Sequence, residues 1–163
     1  MSLRQRLEEK QRRRLVVPIR VSDPSADQAA AETLQAALSV AMAAEDKGTI
    51  EGLQGQLQAV ADRIRAHWAD VELEAMPRDQ WREATSAWQT VETTEDGPQV
   101  VTNWAEALAP LLAESCTDPE LKDSEWWAAQ LDRPEWSEGD TNALQIALLQ
   151  LNVDAVDPQV PKG

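Results

Sequence analysis

The chain has 163 residues, 42% hydrophobic and 27% charged, which suits one globular domain with a buried core and excludes wholesale disorder. A single cysteine, Cys116, excludes an internal disulfide and a multi-cysteine zinc site. Of the net charge of −14, residues 1–20 hold seven Lys/Arg against two Glu and the rest eight against 27. The body should therefore repel nucleic acid and anionic membrane.

Residues 1–14, MSLRQRLEEKQRRR, form a basic arm. Leu3 and Leu7 give it one short apolar stripe, which predicts a nascent helix that is mobile unless docked. Arg12, Arg13 and Arg14 concentrate its charge and suit an acidic target: RNA, a partner, or the protein's own body. Leu15–Val21 is β-branched and short, and Pro18 predicts an edge strand. Pro18 and Arg20 also interrupt it, so it is not expected to act as a secretory signal.

Ser22-Asp23-Pro24 is a helix-start signal. Ala31, Leu34, Leu38 and Ala41 then fall in heptad spacing, Asp46–Thr49 reads as a turn, and Ile50, Leu53, Leu57, Val60 and Ile64 follow three and four apart. Two stripes joined by a short turn predict an antiparallel helical hairpin with a buried seam. Gly52 and Gly55 either weaken the second helix or permit close helix approach. Asp70–Ala75 alternates as a strand and can pair with residues 15–21. A short helix is expected over Arg78–Gln89, with Trp81, Ala84/Thr85 and Trp88 on one side.

Thr90–Gln99 reads as a loop. Beyond it, Thr102 or Asn103 caps a helix that Pro110 should kink or split, Ser124 caps Glu125–Leu131, and Ser137 caps a final helix through Leu151. The predicted organisation is an arm at 1–14, a strand–helical hairpin–strand–helix unit at 15–89, a loop at 90–101, a C-terminal helical section at 102–152 and a polar tail at 153–163. The fold class is mainly α with a small β element.

Catalytic machinery is nearly absent, so no enzyme is expected. The one histidine, His67, reads as a packing or hairpin-end residue, and Cys116 and Ser115 lack the surroundings of a nucleophile. No phosphate-binding loop, dinucleotide fingerprint, zinc-protease motif or EF-hand loop occurs. Carboxylates cluster at Glu92–Asp96, Asp118–Glu125 and Asp132–Asp140, but nothing in their spacing enforces convergence on an ion. Solvated helix ends and loops are the expectation, with no cofactor and no metal. The longest uncharged runs, Thr33–Ala44 and Thr141–Val153, fall short of the roughly 18–20 residues of a bilayer span, so no membrane partner is expected. The chain has seven Trp with no Phe or Tyr. Trp126, Trp127 and Trp136 are its sharpest local feature and the candidate partner contacts, with core packing as the alternative.

Several pieces in order resemble tail assembly chaperones of long-tailed bacteriophages, particularly actinobacterial phages and prophages. They are Arg12-Arg13-Arg14, Val16–Val21, the helical pair, Val71–Pro77 and Asp79-Gln80-Trp81. In the second half they are Asn103-Trp104, Cys116, Asp118–Leu121, Trp126, Trp136–Asp140, Asn142-Ala143-Leu144 and Asn152. The resemblance spans most of residues 3–152 and implies a non-enzymatic function. Such proteins bind the tape measure protein, keep its hydrophobic helices soluble and help recruit tail tube protein. It also implies a host-cytoplasmic location and absence from the mature virion.

Two other classes are open. One is a structural virion or head–tail connector protein, a homo-oligomer built through the hairpin. The other is a small regulator that binds nucleic acid through the arm alone. Resembling proteins are often made in two lengths by a backward ribosomal slip near the stop codon. Val160-Pro161-Lys162 permits the slippery codons GTC-CCA-AAG at that position.

Overall fold

A computed structural model describes residues 1–154. The polar tail expected over 153–163 lies outside the described residues from 155 onward, as does the segment 160–162. The fold is mainly α with a small β element. The helices are α1 (Leu3–Glu8), α2 (Ser25–Ala43), α3 (Lys47–Arg65), α4 (Arg78–Ser86), α5 (Trp104–Ser115), α6 (Ser124–Leu131) and α7 (Glu138–Asn152). The strands are β1 (Arg14–Arg20), β2 (Trp68–Glu74), β3 (Gln89–Thr94) and β4 (Gly97–Thr102). β1 pairs with β2, as expected of two strands that flank a helical hairpin, and β3 pairs with β4.

The chain divides into two compact units, residues 18–70 and residues 1–17 with 71 onward. That division replaces the single 15–89 unit expected from periodicity, because residues 71–89 join the C-terminal helices.

Residues 18–70 are built on the helical hairpin of α2 and α3. Asp46 caps α3, accepting the Thr49 amide at 3.3 Å and the Thr49 hydroxyl at 2.6 Å. Glu45 turns the chain in the left-handed region at φ 55°. The seam differs from the expectation. Only Ala41 and Val60 are buried, while Ala31, Leu34, Leu38, Leu53, Leu57 and Ile64 are half-buried. Two helices bury a narrow line between them; a full core needs a second layer. Space beside Gly52 and Gly55 is open for a side chain, so neither serves close helix approach.

The other unit has the larger core. Val71 and Leu73 of β2, Leu108, Leu111 and Leu112 of α5, Trp127 of α6, and Leu144, Leu148 and Leu151 of α7 are all buried. α5 is central, packing against α4, α6 and α7. Pro110 sits inside α5 without splitting it. Its neighbours Ala107, Leu108, Leu111 and Leu112 are buried on the same helix, and that packing outweighs the lost backbone hydrogen bond. Asp123, rather than Ser124, caps α6 by accepting the Trp126 amide at 3.0 Å. Ser137 and Asp140 form a reciprocal capping box at the start of α7.

Residues 90–101 are not a loop. β3 and β4 form an antiparallel hairpin with Val91 opposite Val100 and Thr94 opposite Gly97. The β-branched run Thr90, Val91, Thr93 and Thr94 suits a strand, and Gly97 at φ 110° supplies the backbone turn that other residues rarely adopt. The hairpin lies exposed on both faces.

Candidate interaction surfaces

The basic arm is shorter than its sequence suggests. Arg12 pairs with Glu74 at 2.7 Å, and Arg14 reaches Glu74 at 3.1 Å and Glu72 at 3.4 Å. Arg13 donates to the carbonyls of Leu151 and Asp154 at the end of α7, where a cation complements the helix dipole. The backbone follows, with the Ala75 amide donating to the Arg13 carbonyl at 2.8 Å. Of the targets the sequence left open, these three arginines engage the protein's own body. Only the segment around α1 stands clear, with Leu3 70% and Leu7 62% exposed.

The three candidate tryptophans divide by burial. Trp127 is 1% exposed and its indole N–H donates to the Leu121 carbonyl at 2.8 Å. It is a core residue, and its role as a partner contact is corrected accordingly. Trp126 meets it edge to face at 5.0 Å between ring centroids, and Trp136 does so at 6.2 Å. Trp126 is 40% exposed and Trp136 half-buried, so only these two present ring surface to solvent. The physical reason is helical: adjacent residues point about 100° apart, so Trp126 and Trp127 cannot both face inward.

His67 is a hairpin-end residue. Its Nδ1 lies 2.6 Å from the Ser22 hydroxyl and its Nε2 2.9 Å from Asp27, which also accepts from Arg63 at 2.8 Å. The hydrogen bonds from His67 and then Arg63 hold the Asp27 carboxyl below the usual carboxylate range. Burial pushes the Cys116 thiol up to about 11, the opposite of nucleophile activation. Several clustered carboxylates cap helices: Asp118 accepts from the Glu120 amide, and Asp123 and Asp140 act as described above. Among the described residues, no group of three His, Cys, Asp or Glu side chains is arranged as metal ligands would be. No described helix is long and apolar enough to cross a membrane.

Two grooves offer apolar surface. One, of about 380 Å³, runs along the hairpin and is lined by Ala31, Gln35, Gln54, Leu57, Ala61 and Ile64 with Gln58. No charged residue lines it. The other, of about 740 Å³, lies between α5 and α6, with Ala105, Ala109, Pro110, Ala128 and Ala129 on its walls and Trp88 beside them. Its charged lining is wholly acidic: Glu106, Glu125 and Asp132. A smaller recess of about 340 Å³ holds Arg12, Arg14 and Lys122 with Glu74 and Glu114, and its charges are largely paired within it. The Ser115 hydroxyl, buried on its wall, has no hydrogen-bond partner among the described residues.

Neither groove is legible in the sequence as such. The hairpin groove was visible only as its stripes. The spacing of Ala105 and Ala109, one helical turn apart, was the available signal for the second. Comparison of the chain with protein-family models, curated proteins and solved structures finds no match.

Proposed function

We propose that this chain is a non-enzymatic assembly chaperone that binds an apolar helical client through the α2–α3 hairpin. The carrying observation is the open seam of that hairpin, with its half-buried leucines and uncharged groove. On α3 the groove's lining runs from Gln54 to Ile64, roughly 15 Å at 1.5 Å per residue, so it can follow a client helix for nearly three turns. A third helix laid in the groove would bury Leu57 and Ile64, which two helices leave half-covered. The surrounding acidic charge favours solubility of the complex.

The resemblance to tail assembly chaperones supplies the client in this reading: the tape measure protein, with tail tube protein recruited around it. The protein then works in the host cytoplasm and leaves before the virion is complete. The docking of Arg12, Arg13 and Arg14 on the body weighs against nucleic-acid binding by the arm.

Co-expression with a phage tape measure protein tests this reading, with the client's soluble fraction as the measurement. Gln35→Glu with Gln54→Glu places two charges on the groove wall at exposed positions. The double variant should keep its unfolding midpoint and lose client co-purification. Absence of any solubility gain with the unaltered chain would end the proposal.

A further inference from the structure

We infer that the N-terminal segment of one copy docks, through the Leu3–Leu7 stripe of α1, in the α5–α6 groove of a second copy. The helix is prepared for docking at both ends. Ser2 and Gln5 form a reciprocal capping box, with the Gln5 amide donating to the Ser2 hydroxyl at 3.2 Å and the Ser2 amide to the Gln5 side chain at 2.8 Å. Arg4 pairs with Glu8 one turn on, at 2.9 Å. Yet α1 has six residues and buries none of them. A helix this short is marginal in water unless a surface receives its apolar face. Leu3 and Leu7 stand one turn apart on that face, both exposed.

The groove complements this segment in shape and charge. Its four alanines and Pro110 leave room for bulky side chains to enter between Trp88 and Leu131. Its volume of about 740 Å³ exceeds that of two leucine side chains. Arg6 and Lys10 flank the leucine stripe and, among the described residues, have no carboxylate within ion-pair distance; they outnumber the one carboxylate of the segment, Glu9, that Arg4 leaves unpaired. Glu106, Glu125 and Asp132 line the groove with no base among them. Apolar stripe meets apolar wall, and basic flank meets acidic rim. Because each copy has one segment and one groove, the contact is heterologous. It closes as a reciprocal exchange between two copies or continues as an open chain.

Sedimentation velocity of the full chain over a concentration series, at low and high salt, tests the inference. Association should weaken at least about tenfold in high salt. It should weaken as much in Leu3→Asp/Leu7→Asp and in Glu125→Lys/Asp132→Lys. Mixing Glu125→Lys/Asp132→Lys with Arg6→Glu/Lys10→Glu should restore association between the two variants, a readout that misfolding cannot mimic. Deletion of residues 1–9, which removes no buried side chain, repeats the arm test should the leucine variant misfold. A chain that stays monomeric throughout, including one whose segment folds onto its own groove, overturns the inference. So does association that survives the arm and rim variants. The client test above concerns the hairpin, so either result stands without the other.

Discussion

Nε2 of His67 lies 2.9 Å from Asp27, joining the end of α3 to the first turn of α2 across 40 residues. Arg63 shares the same carboxylate at 2.8 Å. The tie fixes the open ends of the two helices, while Asp46 and the turn fix the closed end. Because the Asp27 carboxyl titrates below its ordinary 3.8 when folded, the stabilisation is complete above that value. It is lost as pH falls through the depressed folded value. Asp27→Ala should therefore lower the unfolding midpoint at neutral pH, and its deficit should shrink in acid. Thermal unfolding of both proteins across the acid range measures this; a constant deficit would mean the contact is not ionic.

Gly52 and Gly55 are exposed in the middle of α3 with open space beside them. Each costs roughly 0.5–1 kcal/mol relative to Ala through backbone entropy. Gly52→Ala and Gly55→Ala should each raise stability by about that amount in denaturant titration, additively within a few tenths. A loss would show that the glycines serve a bend or a contact in solution.

Burial separates the paired tryptophans sharply. Trp127→Ala should cost about 3–5 kcal/mol by emptying a core site and orphaning the Leu121 carbonyl. Trp126→Ala removes a side chain left 40% exposed and should cost under about 1.5 kcal/mol, part of it the edge-to-face contact. Urea unfolding of the two variants gives the comparison directly. Equal costs would contradict the arrangement of the cluster.

Cys116 offers an alkaline test. Its thiol is held to about 11 in the fold, against about 9 when unfolded, so between these values only the unfolded chain releases the proton. Stability should fall as pH rises through that window, by at most about 2–3 kcal/mol in all. Cys116→Ala should flatten that limb. Native chain should also react with a disulfide reagent only as fast as it opens. Rapid reaction under native conditions would show an accessible thiol.

The helices were legible because their apolar positions recur at helical spacing, and the start of α7 because Ser137 caps as its position implies; Asp46, which caps α3, reads in the sequence only as part of a turn. The β3–β4 hairpin was not. Asp96-Gly97-Pro98 reads as loop, and the strand's alternation lacks a buried face to reveal it, since both faces are exposed. Charge density oversizes the arm because it says nothing of distant partners; Glu72 and Glu74 lie far along the chain from Arg12 and Arg14. Stripe spacing likewise locates a seam without saying how deeply it is covered. Leu57 lies on the predicted stripe yet is only half-buried, and Val60 marks where cover is complete.

The placing of the indoles makes each compact unit optically distinct. Residues 18–70 contain one tryptophan, Trp68, and no other aromatic ring except that of His67. The edge-to-face set Trp126, Trp127 and Trp136 belongs wholly to the other unit. Near-ultraviolet circular dichroism from those coupled rings follows one unit. The emission that disappears in Trp68→Leu follows the other. Melting of the hairpin and of the C-terminal helices can thus be timed separately in the intact chain, with no dye attached.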